Sequence, residues 1–184
     1  MPLCYTVGEM KTSDRIKRRA ELVLAKIEFV ARHIRNVEDN CLFLGKKLIE
    51  KGRIDLGHKL IANGYIHDAS KFHGIEFEYL SLTTPGVEED KTLKLKLAVH
   101  HHNTTNPHHP EFWAGGIKEM PDVYVAEMVA DWKARSEEFG TSLRDWIEGT
   151  ATKRFDFTKE DKVYKEIMEY VGLLCQTPFT NTNT

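Results

Sequence analysis

The feature that most constrains this chain is the recurrence of its apolar side chains at intervals of three and four. Ile16, Ala20, Val23, Leu24, Ile27, Val30, Ala31 and Ile34 follow one another at that spacing, which gives an α-helix one apolar stripe and suits no strand. Ser13 stands where it can cap this helix, with Asp14 in the first turn. A second helix is predicted over Val37–Lys51, with Leu42, Leu44, Leu48 and Ile49 inward and Gly52 ending it. A third, capped by Asp55, carries Leu56, Leu60 and Ile61, and Gly64 near its end loosens the backbone. A short helix over Glu76–Leu82 is stopped by the turn signal Thr83-Thr84-Pro85-Gly86, and the charged segment Glu88–Lys96 opens another. Pro121 suits the first turn of a helix whose apolar face is Val125, Met128, Val129 and Trp132. Leu143–Glu148 reads as a short helix. Thr158 caps a last one with Val163, Ile167, Tyr170, Val171 and Leu174 inward. With no repeat and no hairpin signal, the expectation is an all-α single domain, a bundle of six to eight helices. Its core would span about 13–176, with irregular ends at 1–12 and 177–184.

A chain of 184 residues can bury one sizeable core. A formal net charge of −2 argues against a general nucleic-acid binder, which would carry a strongly basic surface. Cys4, Cys41 and Cys175 are isolated, so neither a disulfide framework nor a thiolate zinc site is expected, and a reducing compartment fits. No apolar run approaches the roughly 20 residues of a membrane helix, and no signal peptide opens the chain. The expected location is the cytoplasm, the host's if the chain is phage-encoded, and a homodimer is the commonest assembly for such a chain.

The chemistry concentrates at Gly64-Tyr65-Ile66-His67-Asp68-Ala69-Ser70-Lys71-Phe72. Imidazole offers a borderline nitrogen and carboxylate a hard oxygen able to bridge two ions, so His67-Asp68 suits a divalent metal. Lys71, one helical turn after His67, adds a cation beside them. A second concentration is the run from His100 to Trp113, where five of the nine histidines lie between positions 100 and 109. Three consecutive helical histidines fan across about 200°, so His100, His101 and His102 cannot all face one ion. Asn106-Pro107 and His109-Pro110 break the helix and turn a later histidine back. Asp131, hemmed by Val129, Ala130 and Trp132, is expected to be partly buried and to need a cation or donors. His33 is equally readable as a polar residue beside the core or as a cation at a helix C-terminus. His58 and His73 read as surface or supporting residues.

Taken in order, His33, His67-Asp68, the histidine run and Asp131 resemble the signature of the HD-domain metal-dependent phosphohydrolase superfamily: a histidine, a His-Asp pair and a later aspartate on a helical bundle. By this resemblance, which covers roughly Arg15 to Arg135, the metal ligands are His33, His67, Asp68 and Asp131. The spacing and the His-Asp-Ala-Ser motif at 67–70 are similar to the bacterial 5′-deoxynucleotidase branch. That branch has a glutamate where this chain has Lys71, and a lysine there is more similar to the His-Asp-x-x-Lys motif of other HD enzymes, where it faces substrate phosphate. Two-metal HD enzymes resemble the chain in carrying further histidines before the last aspartate. His101 and His108 are favoured for that role, as ligand or general acid, with His102 and His109 as alternatives. His101–Glu111 and Glu127–Trp132 also resemble a largely phage and bacterial HD-like family, a resemblance that names no substrate.

The resemblance implies hydrolysis of a phosphate ester or anhydride, with a nucleotide as the small-molecule substrate. One or two divalent ions (manganese, cobalt, nickel, magnesium, zinc or iron) activate water, Asp68 positions it and Lys71 offsets phosphoryl charge. Glu76, Glu111 and Glu127 are candidates for orienting ligand histidines. Phe72, Phe112 and Trp113 are candidates for stacking on a base, or else core. Two other readings use the same residues: a di-iron HD-type oxygenase, and a non-catalytic protein that binds or sequesters a nucleotide.

Overall fold

α1 runs unbroken from Thr12 to Glu50, where two helices are expected from the sequence. Nothing between Ile34 and Val37 stops a helix: Arg35 and Asn36 remove no backbone donor and supply no cap. The computed structural model describes residues 12–80 and 89–175. The predicted irregular ends, apart from Thr12 in α1, and the turn at Thr83–Gly86 lie outside them. The described residues are all-α, without a strand. After α1 come α2 (Ile54–Ile66), a 3₁₀ turn (Ala69–Phe72), α3 (Gly74–Tyr79) and α4 (Glu89–Thr105). Two further 3₁₀ turns (Pro110–Phe112 and Gly116–Glu119) lead to α5 (Asp122–Phe139), then α6 (Leu143–Trp146), a π-helical stretch (Ile147–Ala151), α7 (Thr152–Arg154) and α8 (Lys162–Leu174). No described helix is long and apolar enough to cross a membrane.

Only the second half of α1 enters the core. Val30, Val37, Cys41, Leu44 and Leu48 are buried, while Ile16 and Leu24 on the earlier stripe stay 66% and 58% exposed. α2 folds back on α1 at very short range. A Cβ on Gly57 would lie 2.5 Å from the carbonyl oxygen of Gly45, and one on Gly64 would lie 2.7 Å from the Cβ of Cys41. Gly64, read above as a flexible point, is therefore a contact surface, and its missing side chain lets the end of α2 rest on α1. α5 closes the bundle with Val125, Met128 and Val129 buried. α8 packs on it and on α1, with all five residues of its predicted face buried. The N-cap of α8 is Asp161, not Thr158: Asp161 has extended backbone angles, and its carboxylate accepts from the Thr158 N–H at 2.7 Å. Likewise Arg53, not Asp55, occupies the N-cap of α2. Its guanidinium ties that corner to Asp122 at 2.5 Å and to the Tyr170 hydroxyl at 2.8 Å. These ties hold the start of α2, the first residue of α5 and Tyr170 of α8 at one corner of the bundle.

Candidate metal centre

The His-Asp pair stands beyond a helix rather than inside one. α2 stops at Ile66, His67 forms its C-cap, and Asp68 takes a left-handed conformation (φ 55°, ψ 22°). Aspartate tolerates this region better than most residues. The turn removes the roughly 100° separation that successive helical positions would impose. It leaves Asp68 fully enclosed, with an environment on each carboxylate oxygen. Oδ2 faces the Nε2 atoms of His33 at 3.7 Å and His67 at 3.3 Å, and pairs with the Lys71 ammonium. Oδ1 faces the Nε2 atoms of His102 at 3.3 Å and His108 at 3.4 Å. Asp131, from α5, approaches His33 Nε2 through Oδ1 at 3.2 Å. His109 brings its Nε2 to 2.9 Å from that of His102.

Ligand atoms lie within 4.8 Å of one another in two groups that share Asp68: His33 with His67, and His102 with His108 and His109. The structure thus brings His33 of α1 to the adjacent His67 and Asp68 of the turn after α2, and Asp131 of α5 joins them through His33. Of the histidine run it brings in His102, His108 and His109. His101, favoured in the sequence, does not join them. Its side chain is 48% exposed and its Nδ1 donates to Glu76 Oε1 at 2.7 Å. His102, one residue on and about 100° round α4, takes the inward position. The loop after α4 is drawn in because the Asn106 amide donates to the His102 carbonyl at 2.9 Å and the Trp113 indole donates to the Pro107 carbonyl at 2.8 Å. His58 and His73 are exposed and stand apart.

The outward nitrogens of three of these histidines are held by carboxylates. Glu138 receives His33 Nδ1 at 2.9 Å, Glu127 receives His67 Nδ1 at 3.0 Å, and Glu76 receives His102 Nδ1 at 2.9 Å. Glu127 also lies 3.4 Å from His108 Nδ1. A carboxylate only accepts, so each Nδ1 donates and each Nε2 turns its lone pair, or a second proton, toward the centre. Such carboxylate–histidine pairs accompany metal-ligating imidazoles. Glu127 contacts both His67 and His108, which accounts for a further grouping of these three residues. Four inward atoms, His67 Nε2, Asp68 Oδ1, His108 Nε2 and Asp131 Oδ1, are buried without a hydrogen-bond partner. Unsatisfied buried polar atoms are rare in folded proteins. Four of them within and beside the two ligand groups fit divalent ions with nitrogen and oxygen ligands.

The protonation pattern has the same cause. Burial pushes the His33 and His67 imidazoles down, but the Asp131 and Asp68 carboxylates more than offset it, raising His33 to about 9 and His67 to about 10. Burial pushes Asp68 and Asp131 up, yet the facing histidines, with Lys71 beside Asp68, hold both well below the usual carboxylate range. His108 is lowered to about 4 by burial and by the charge on His67, and burial likewise lowers His102 and His109. In the metal-free chain, protons on His33 and His67 balance the two aspartates, while the remaining imidazoles are neutral donors.

Of the orienting carboxylates expected from the sequence, Glu76 and Glu127 face ligand histidines. Glu111 instead accepts from Asn103 and Arg154. Glu138 escaped the sequence reading, although it lies seven residues after Asp131 and so on the same face of α5. Ser70 also belongs to the setting, donating to Glu76 at 2.7 Å. Three cavities open on the centre, one of them beside His33 and Glu138. A second, of about 180 Å³, is lined by His33, Lys71, His102, Asn103 and Arg135. A third, of about 360 Å³, shares Asn103 and Arg135 and continues past His109 and Asp131 to Trp132, Trp146 and Phe155. Phe72, Phe112 and Trp113 line none of the three. Phe72 and Phe112 are exposed, and Trp113 packs beside Tyr124.

A family model described as a family of unknown function (DUF5662) matches residues 23–176, and the chain belongs to that family. No curated protein and no solved structure matches it.

Proposed function

We propose that this DUF5662 chain is a metal-dependent phosphohydrolase of the HD-domain kind, acting on a nucleotide or related phosphate ester. The observation that carries the proposal is Asp68, fully buried between two sets of imidazole nitrogens, with one carboxylate oxygen toward each. A first ion would be held by His33, His67, Asp68 and Asp131, and a second by Asp68, His102, His108 and His109. Divalent ions there supply Lewis acidity, neutralising phosphoryl oxygens and making water nucleophilic near neutral pH.

The chain's own groups supply the rest. Glu138, Glu127 and Glu76 hold the ligand imidazoles in the orientation that binding needs. Lys71 and Arg135, lining the smaller cavity beside His33 and His102, bind and neutralise phosphoryl oxygens, which is most of what a protein contributes to phosphoryl transfer. His109 lines the cavity of about 360 Å³.

The test is phosphate release from a nucleotide panel with manganese, cobalt, nickel or magnesium added, alongside elemental analysis of the purified protein. Turnover and up to two ions per chain are expected, both lost in the folded H67A/D68A double variant. Turnover that persists in that variant or in a chelator removes this site from the reaction. Two irons per chain with oxygen uptake and no phosphate release would move the ligands to oxygen chemistry. Tight nucleotide binding without turnover under any metal would leave a binding protein.

A further inference from the structure

The cleft past His109 has features that metal binding does not require. Beyond His109 and Asp131 its wall is formed by Trp132, Trp146 and Phe155. Trp146 meets Trp132 edge to face at 4.7 Å, and Phe155 stacks nearly parallel to Trp132 at 5.8 Å, with 10° between the planes. All three rings are half-buried, so they pack on the core on one side and still front the cleft. Two arginines stand among them. Arg154 lies over the Phe155 ring at 4.9 Å and gives one N–H to Glu111 at 3.2 Å. Arg135 gives one to Glu138 at 3.1 Å. Each guanidinium carries five donors, so most remain for a ligand.

Arg135 and Asn103 line both this cleft and the smaller cavity, so the aromatic cleft adjoins the chamber of Lys71 and His102 across these two side chains. A volume of about 360 Å³ lies near the lower end of the roughly 300–1,000 Å³ of small-molecule sites. It is room for one ring system with its sugar.

We infer that this cleft is the recognition subsite for the organic part of the ester, and that it selects a planar aromatic group, a nucleobase or aryl ring, seated against Trp146 and Phe155 with Arg154 at its edge. The inference rests on the hydrolase reading above for the phosphate end of the substrate. Its own ground is the aromatic wall, which an aliphatic or polyol phosphate would leave unused. Stacking on such a wall tolerates any base, because every base has a π-face. The cleft therefore separates aromatic from aliphatic phosphates before it separates one base from another.

Two measurements test this. The first is the ratio of kcat/KM for adenosine 5′-monophosphate to that for glycerol phosphate, with manganese added. The wild-type chain favours the nucleotide, and the ratio falls roughly 5- to 150-fold in W146L and F155L, the span expected for loss of one stacked base. R154Q, at an exposed position, lowers it in the same direction without disturbing the core. The second is saturable quenching of tryptophan emission by adenosine, which carries no phosphate and needs no metal. Quenching is expected in the wild type and weakened in F155L and R154Q. Adenosine binding with no hydrolysis of any ester keeps the subsite and removes the hydrolase reading. Hydrolysis of both esters at equal efficiency, with no adenosine binding, overturns the subsite and leaves the hydrolase reading standing.

Discussion

Replacing Glu127 with glutamine isolates the orienting role of the buried carboxylates, because the change keeps size and removes charge. Glu127 is 4% exposed. Its Oε1 accepts from His67 Nδ1 at 3.0 Å and lies 3.4 Å from His108 Nδ1, while Oε2 accepts from the Asn63 amide at 2.9 Å. In E127Q the amide oxygen can keep the His67 bond. The new NH2 then faces Asn63, whose own amide can turn over and accept, so packing and bond count survive. What is lost is the negative charge that makes both imidazoles better donors to a cation. Outer carboxylates of this kind are worth about 10- to 100-fold in metal affinity, or about 1.4–2.7 kcal/mol. Because Glu127 faces one histidine from each ligand group, both binding events should weaken. Manganese or zinc titration against a chelating indicator measures this, with E148Q, an exposed glutamate paired to Lys159, as the control. E127A should also lose about 1–3 kcal/mol of stability, since it strands a buried imidazole N–H. An E127Q protein that binds two ions with unchanged affinity would show that the pairing with His67 and His108 is packing alone and has no part in orienting the ligands.

H102A should release the ion held beside Asp68 Oδ1 and leave the other, whereas H101A should keep both; elemental analysis of the two proteins decides, and the reverse result would contradict the geometry of α4. In chelator, the stability of the metal-free chain should peak near pH 6.5. The raised His33 and His67 contribute fully below their ordinary value and lose that contribution as pH climbs through about 9 and about 10, while the lowered His102, His108 and His109 cost stability as pH falls below about 6.5. Urea midpoints between pH 5 and 10 read this out, and a midpoint that rises steadily to pH 10 refutes it. G57A should destabilise by about 1–3 kcal/mol because its Cβ would meet the Gly45 carbonyl at 2.5 Å. G172A, on an exposed face of α8 with nothing within 4 Å, should instead stabilise by about 0.4–1 kcal/mol. Thermal melts of the pair should move in opposite directions.

The helices were legible in the sequence because their apolar spacing is local information. The face Val163, Ile167, Tyr170, Val171 and Leu174 is read from one stretch of chain, and the same five residues are buried. Asp131 could be singled out because an acid among apolar neighbours needs a partner, whereas His67-Asp68, a dipeptide common by chance, gained weight only from the histidines and the aspartate found elsewhere in the chain. The boundary at Ile34–Val37 misled because a drop in apolar density resembles a stop, yet no residue there breaks a helix. What only the tertiary structure decided is which imidazoles meet. His101 and His102 have the same chemistry and differ by about 100° of rotation about α4, so packing of that helix against Glu76 and Asp68 makes the choice. Glu138 and the aromatic wall of Trp132, Trp146 and Phe155 were hidden for the same reason: each becomes part of a site through neighbours distant in the chain. Local spacing sets which face of a helix turns inward; only the docking of helices sets what that face will touch.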